Sequence, residues 1–303
     1  MSAQADSLKS IFFALGANFA IALAKTAGAV FTGSSSMLAE AIHSYADCGN
    51  QALLIWGLKE ARHAPTAEHP LGFGKAIYFW SFIVALMLFS MGGLFSIYEG
   101  VHKLHSVEPV KYAWVAVGIL GFGVAAEGLS LWGCLREINK ERASGQSLWQ
   151  WFRGSRQSEL LVVLGEDLAA LGGLVLALGF ILLSMITGDP MWDAIGSISI
   201  GVLLVVVAVL VGVEVKALLM GQSAEPRTVQ ALREHVLSQP EVEQLYSLLT
   251  QQLGGQIMLA VKARMTPQPS DTALIEAINR VEKSLRDTFP ALRWIFFEPD
   301  LRD

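Results

Sequence analysis

His43 and Asp47 stand four residues apart in the run SSSMLAEAIHSYADCGNQALL. On a helix that spacing puts an imidazole and a carboxylate on one face, one turn apart. Both are ligand types that hold a zinc-sized cation at about 2.0–2.2 Å. The same spacing also suits a His–Asp hydrogen bond that stiffens a helix bundle. A second pair, Glu166–Asp167, interrupts SELLVVLGEDLAALGGLVLALGFILL. Two adjacent carboxylates in so apolar a run cannot both stay ionised without compensation, which a bound dication supplies. The alternative is a wet helix end, because Ser158 lies only about eight residues upstream. His43, Asp47 and Asp167 would give three ligands, with Glu166 or water as the fourth.

These residues need elements to carry them. The chain has 303 residues, of which 53% are apolar and only 16% charged. Soluble domains carry about 25% charged residues. Six apolar runs, about 10–31, 36–58, 76–98, 112–135, 158–186 and 191–219, are each long enough to cross a bilayer as a helix. Glycine is frequent inside them, as in close-packed membrane helices. Ionisable groups within such spans are costly, so His43, Asp47, Glu166 and Asp167 become functional candidates. Glu127 and Asn18 are weaker candidates, either lining an ion path or joining helices. Lys25 is expected near enough to a helix end to snorkel, and Asp193 to open the sixth span.

The connections between the runs give an orientation. Eight Lys and Arg residues fall in loops 59–75 and 136–157, against Lys103 and Lys111 in loop 99–111. The positive-inside rule makes the basic side cytoplasmic. With an even number of spans, both termini are then cytoplasmic. The first residues, MSAQADSLKS, lack the basic start and cleavage site of a secretory signal, so the first run is read as a retained span.

From about residue 222 the composition becomes that of a soluble domain. The pattern predicts a helix at EPRTVQALREHVL, two strands joined through Gly254–Gly255, a helix with Ser270 as N-cap, and a third strand at ALRWIFFEP. The order α-β-β-α-β predicts a small α+β domain over 222–303, following a membrane domain over 1–221. Cys48 and Cys134 have no disulfide-like spacing. A net charge of −5 without a basic stretch argues against a nucleic-acid partner.

Several segments carry a family resemblance. GSSSMLAEAIHSYADCGNQ, EHPLGFGKAIYFWSF and DAIGSISIGVLLVVVAVLVGVEVKALLMGQSAEP resemble the second span, the cytoplasmic turn into the third, and the sixth span of the cation diffusion facilitator family of metal/proton antiporters. YFWSFIVALMLFSMGGLFSIYEG and the GED of the fifth run are nearest the branch that contains zinc transporter nine. The resemblance implies six spans with a ferredoxin-like cytoplasmic domain, and a tetrahedral metal site between spans two and five that opens alternately to each side. It also implies a homodimer through the C-terminal domain.

This chain departs from the family pattern in three places. Family zinc transporters carry HxxxD in span five; alignment through Gly172–Gly173 puts Asp167 at that aspartate and Val163 at the histidine. The paired histidines of the family's loop between spans two and three are reduced to His69, with Phe73 four residues later. The C-terminal domain has His235 as its single histidine, which reads as a dimerisation scaffold and not a zinc sensor.

The expected activity is export of zinc(II) from the cytoplasm in exchange for protons, with no enzyme activity, no bound cofactor and the lipid bilayer as surroundings. One histidine with several carboxylates is also a set that iron(II) or manganese(II) accepts. A membrane scaffold or regulator without transport is the competing class, against which the costly intramembrane charges argue. An intramembrane hydrolase lacks an evident nucleophile arrangement. The compact loops suit a bacterial inner membrane.

Overall fold

Gly33 has φ +67°, a left-handed conformation that glycine adopts without strain, and there the chain reverses between a helix at 18–32 (α1) and the helix Ser35–Glu60 (α2). Ser34 caps α2, its Oγ accepting from the Met37 amide at 3.2 Å. The computed structural model describes residues 18–105, 112–143 and 145–302. The first eight residues of the first expected run, and Lys111, lie outside the described residues.

The next helices are α3 (Ala76–His105), α4 (Ala113–Glu141), a short α5 (Leu148–Gly154), α6 (Ser158–Thr187) and α7 (Met191–Met220). Among the described residues, α3, α4, α6 and α7 are long and apolar enough to cross a membrane. The protein is therefore a multi-pass membrane protein. In α2 the charged residues Glu40 and Asp47 dilute the apolar run.

Two expected loops are shorter than the sequence suggested. Residues 99–105, placed in a loop, continue α3. Gly100, which reads as a helix stop, is a packing position: a Cβ there would lie 2.7 Å from the Ala194 carbonyl oxygen of α7. Within 136–157, α4 runs on to Glu141 and α5 forms behind a capping box, Ser147 with Gln150.

The chain divides into two compact units. The first comprises Met1–Trp56, Trp80–Gly145 and Glu159–Glu214. Its core includes Met37, Leu88, Leu120, Leu174, Ile200 and Leu204. A π-helical segment, Leu88–Leu94, lies inside α3. Next to it the α3 and α7 backbones nearly touch: a Cβ on Gly201 would lie 2.6 Å from the Gly93 carbonyl oxygen. Small residues permit that approach where dispersion and close packing must hold helices together without a hydrophobic driving force.

The second unit comprises Gly57–Phe79, Gln146–Ser158 and Val215–Asp303. Its C-terminal part has the expected order: α8 (Pro226–Leu237), β1 (Val242–Leu253), β2 (Gln256–Met265), α9 (Asp271–Thr288) and β3 (Leu292–Pro299). The sheet runs β1-β2-β3, with β1–β2 antiparallel and β2–β3 parallel. Gly254, at φ +63°, turns the predicted hairpin. Alternation divides the sheet's faces. Leu248, Leu259, Val261 and Ile295 are buried in the core with Leu232, Val236, Val281 and Leu285 of the two helices. The row Leu249, Ala260, Phe296 lies on the other face, with Leu249 66% and Phe296 56% exposed. Within this unit Tyr78 is fully buried, and its hydroxyl accepts from the Gly254 amide at 2.9 Å.

Candidate functional site

α2 presents a polar stripe on one face: Glu40, His43, Ser44, Asp47, Asn50 and Gln51 recur at helical spacing. An asparagine side chain from this stripe reaches α6, where Asn50 Nδ2 donates to Glu166 Oε1 at 2.6 Å. The neighbouring carboxylate turns elsewhere. Asp167 Oδ1 accepts from Ser130 Oγ of α4 at 3.1 Å. Adjacent residues on a helix point about 100° apart, so the two acids engage different partners while both edge one space. That space is a polar cavity of about 20 Å³, enough for a water-sized occupant. Its lining includes Asn18, Ser44, Asp47, Glu127, Glu166 and Asp167.

The structure thus brings together five of the sequence candidates: Asn18, Asp47, Glu127, Glu166 and Asp167. All lie within the first unit. The wet-end reading of Glu166–Asp167 does not hold, since both residues are buried. His43 is fully buried beside them, with Nε2 3.6 Å from Asp47 Oδ2. That distance is too long for a hydrogen bond. Both ring nitrogens of His43, Oδ1 of Asp47 and Oδ2 of Asp167 have no hydrogen-bond partner although buried. Buried polar groups are nearly always satisfied, so the orphaned oxygens of Asp47 and Asp167 at the cavity, and those ring nitrogens of His43 next to Asp47, leave room for an occupant that satisfies them. Among the described residues no three His, Cys, Asp or Glu side chains already converge as a metal cluster. His69 is not part of this arrangement. It lies in the second unit, exposed, with its ring stacked on Phe73 at 4.5 Å.

Three features went unread in the sequence. Lys25 does not snorkel: it is fully buried, and Nζ meets Glu40 Oε2 at 3.2 Å and Ser44 Oγ at 2.8 Å. The signal available was Glu40 itself, an acid in an apolar run three residues before His43. Asn50 was legible as the next polar position after Asp47. Asp193 sits near the start of α7, as expected, yet its carboxylate serves the start of α2. It accepts from Ser34 Oγ at 2.6 Å, the Ser35 amide at 2.7 Å and Ser35 Oγ at 3.0 Å, with Lys103 Nζ 3.7 Å away.

A family model described as the cation efflux transmembrane domain matches residues 11–220. The chain belongs to the cation efflux family. The buried acids and His43 therefore sit in a cation efflux fold, on the second and sixth of the helices described above. Relatives in this family include the "Proton-coupled zinc antiporter SLC30A9, mitochondrial" of Xenopus laevis, 38% identical over 227 residues, which cover 74% of this chain and 40% of that protein. "Metal tolerance protein C4" of Arabidopsis thaliana is 31% identical over 250 residues, 82% of this chain and 54% of that protein. "Zinc transporter ZitB" of Escherichia coli (strain K12) is 22% identical over 281 residues, 90% of this chain and 82% of that protein. The SLC30A9 likeness agrees with the branch named from the sequence. The chain spans about 40% of the length of the SLC30A9 relatives that it matches.

Proposed function

We propose that this cation efflux protein exports a divalent transition-metal cation, zinc(II) first, from the cytoplasm in exchange for protons. The observation that carries the reading is the cavity edged by Asp47, Glu127, Glu166 and Asp167, beside a fully buried His43 whose ring nitrogens have no partner. The names of the animal and enterobacterial relatives, a proton-coupled zinc antiporter and a zinc transporter, favour zinc.

His43, Asp47 and Asp167 are the ligands in this reading, with Glu166 as the fourth and Glu127 in the wall. Metal binding takes a neutral imidazole and deprotonated carboxylates, so it releases protons. On the cytoplasmic side the site loads metal and loses protons; on the far side protons displace the metal and return inward. Alternating access then comes from packed helices shifting as bodies, α2 and α6 relative to their neighbours.

Six spans with both termini cytoplasmic, counting α1 and α2 with the four apolar helices, suit the charge distribution of the loops. The homodimer is supported by the exposed apolar row Leu249, Ala260, Phe296 on the open face of the sheet. The compact loops suit a bacterial inner membrane; "mitochondrial" is part of the names of the animal relatives.

The test is transport by purified protein in proteoliposomes. Zinc(II), iron(II), manganese(II) and cadmium are compared with and without a pH gradient. His43→Ala and Asp47→Ala are expected to abolish zinc flux, and undiminished flux in either would overturn the assigned site. The carboxylate-rich donor set favours iron(II) or manganese(II) as the second reading, which the same panel decides.

A further inference from the structure

His43 has a carboxylate on either side of it along α2: Glu40 three residues before, Asp47 four residues after. Both positions fall on the face of His43. Both could join an imidazole in holding a dication, so the helix alone does not say which carboxylate the metal takes. A lysine distinguishes the two. Lys25 Nζ is paired with Glu40 Oε2 at 3.2 Å and donates to Ser44 Oγ at 2.8 Å, with Lys25 and Glu40 wholly buried. The other oxygen, Glu40 Oε1, has no hydrogen-bond partner. It lies against α6, where a Cβ on Gly173 would come within 2.3 Å of it.

A pair kept for stability alone would be an inefficient choice. Replacing a buried ion pair with apolar side chains of similar volume is often neutral or stabilising, and this one leaves an oxygen unsatisfied. Its location suggests a different role. Ser44, which holds the ammonium, lines the same cavity as Asp47, Glu127, Glu166 and Asp167. The ammonium is therefore anchored at the edge of the candidate metal cavity, on Glu40, the α2 carboxylate within one turn of His43 that does not line it.

We propose that Lys25 is a tethered resident cation that occupies Glu40 and so withholds this carboxylate from the transported metal, making Lys25 a specificity-determining residue. The proposal rests on the metal-transport reading of the cavity. It has two consequences. Without Lys25, Glu40 becomes a ligand beside His43, adding a hard oxygen donor. Without Glu40, the ammonium turns to the cavity acids and competes with the incoming dication.

The experiment titrates full-length protein in detergent with zinc(II) and manganese(II), reading affinity and stoichiometry by calorimetry. Folding of each variant is checked by gel filtration. Lys25→Met is expected to take a second metal equivalent or to bind manganese(II) at least tenfold more tightly. Glu40→Gln is expected to bind zinc(II) at least tenfold more weakly. The double variant, K25M with E40M, removes both cation and carboxylate and is expected to return to parental values. A structural pair moves none of these readouts in folded protein. Parental affinity and stoichiometry in either folded single variant would overturn the proposal. If K25M does not fold, E40Q and the double variant decide. If the parental protein binds no metal, it is the transport reading that fails.

Discussion

Asn50 Nδ2 donates to Glu166 Oε1 at 2.6 Å, joining α2 to α6 three residues past Asp47. Both residues are buried. Asn50 thereby fixes where the Glu166 carboxylate stands relative to Asp47. Asn50→Ala would leave that carboxylate without its donor, at a cost of about 1–3 kcal/mol for an unsatisfied buried group. The expected result is a lower thermal midpoint in detergent, together with weaker zinc binding. A variant with both values unchanged would show that the hydrogen bond does not position the site.

Asp193 offers a second check, at the end of α2 remote from Asn50. Its carboxylate accepts from the Ser35 amide and from the Ser34 and Ser35 hydroxyls, so an acid from α7 satisfies the first turn of α2. An anion at a helix N-terminus is favourable both as a cap and through the helix dipole. Asp193→Ala is expected to destabilise the protein by about 1–2 kcal/mol, with Asp193→Asn intermediate because an amide oxygen still accepts. Thermal midpoints of the three proteins check the order.

The α3–α7 contact predicts a contrast between glycines. A Cβ on Gly201 would meet the Gly93 carbonyl oxygen at 2.6 Å and the Ile97 amide nitrogen at 2.7 Å, both backbone atoms that cannot turn aside. A Cβ on Gly121 of α4 would meet nothing within 4 Å. Gly201→Ala is expected to cost about 1–3 kcal/mol by overpacking. Gly121→Ala is expected to be neutral or slightly stabilising, because alanine is the better helix former. Equal midpoints for the two variants would contradict the packing seen here.

How much of this was legible in the sequence depends on the scale of the feature. The apolar runs declared the helices because a bilayer demands length and composition, and these are local properties. The α-β-β-α-β order was legible through Gly254, Ser270 and the switch of periodicity. The pairing of acids with their partners was not. Asn50–Glu166 and Ser130–Asp167 depend on how each helix is rotated, and a helix apolar on nearly all sides gives its rotation no amphipathic signature. Lys25 shows the same gap. Its position near an end of the first run suggested snorkelling, whereas its partner Glu40 lies on another helix. His69 is a different case: the sequence set it against Phe73 where the family has a second histidine, and its ring is stacked on Phe73 in a loop.

After β3, Asp300 is partly exposed and takes Lys262 Nζ at 3.0 Å. The Lys262 hydrogen bond, with those from the Leu301 and Arg302 amides, holds its carboxyl below the usual carboxylate value. A depressed folded value gives stabilisation that is present above the ordinary carboxylate range and is lost as pH falls through the folded value. Asp300→Asn should therefore lower the thermal midpoint slightly at neutral pH. The difference between variant and parent should vanish in acid, once Asp300 itself is protonated. A gap that persists in acid would place the effect in packing.

The second unit makes the last prediction, about how residues 57–79 attach to the β1–β2 hairpin. Tyr78 is fully buried and its hydroxyl accepts from the Gly254 amide at 2.9 Å, while a Cβ on Gly74 would lie 2.2 Å from the Leu253 carbonyl oxygen. One contact is side-chain hydrogen bonding by the Tyr78 hydroxyl, which also donates to the Gly254 carbonyl oxygen at 3.4 Å, and the other a backbone-to-backbone approach. Tyr78→Phe removes this hydrogen bonding and keeps the ring, with an expected cost of about 1 kcal/mol. Gly74→Ala forces the two backbones apart and is expected to cost more, about 1–3 kcal/mol. Hydrogen exchange of the amides at 251–256 reads both. Protection should fall modestly in Tyr78→Phe and strongly in Gly74→Ala, with the amides of α9 unaffected. Loss of protection in α9 as well would mean that the contact supports the whole α+β fold instead of the hairpin.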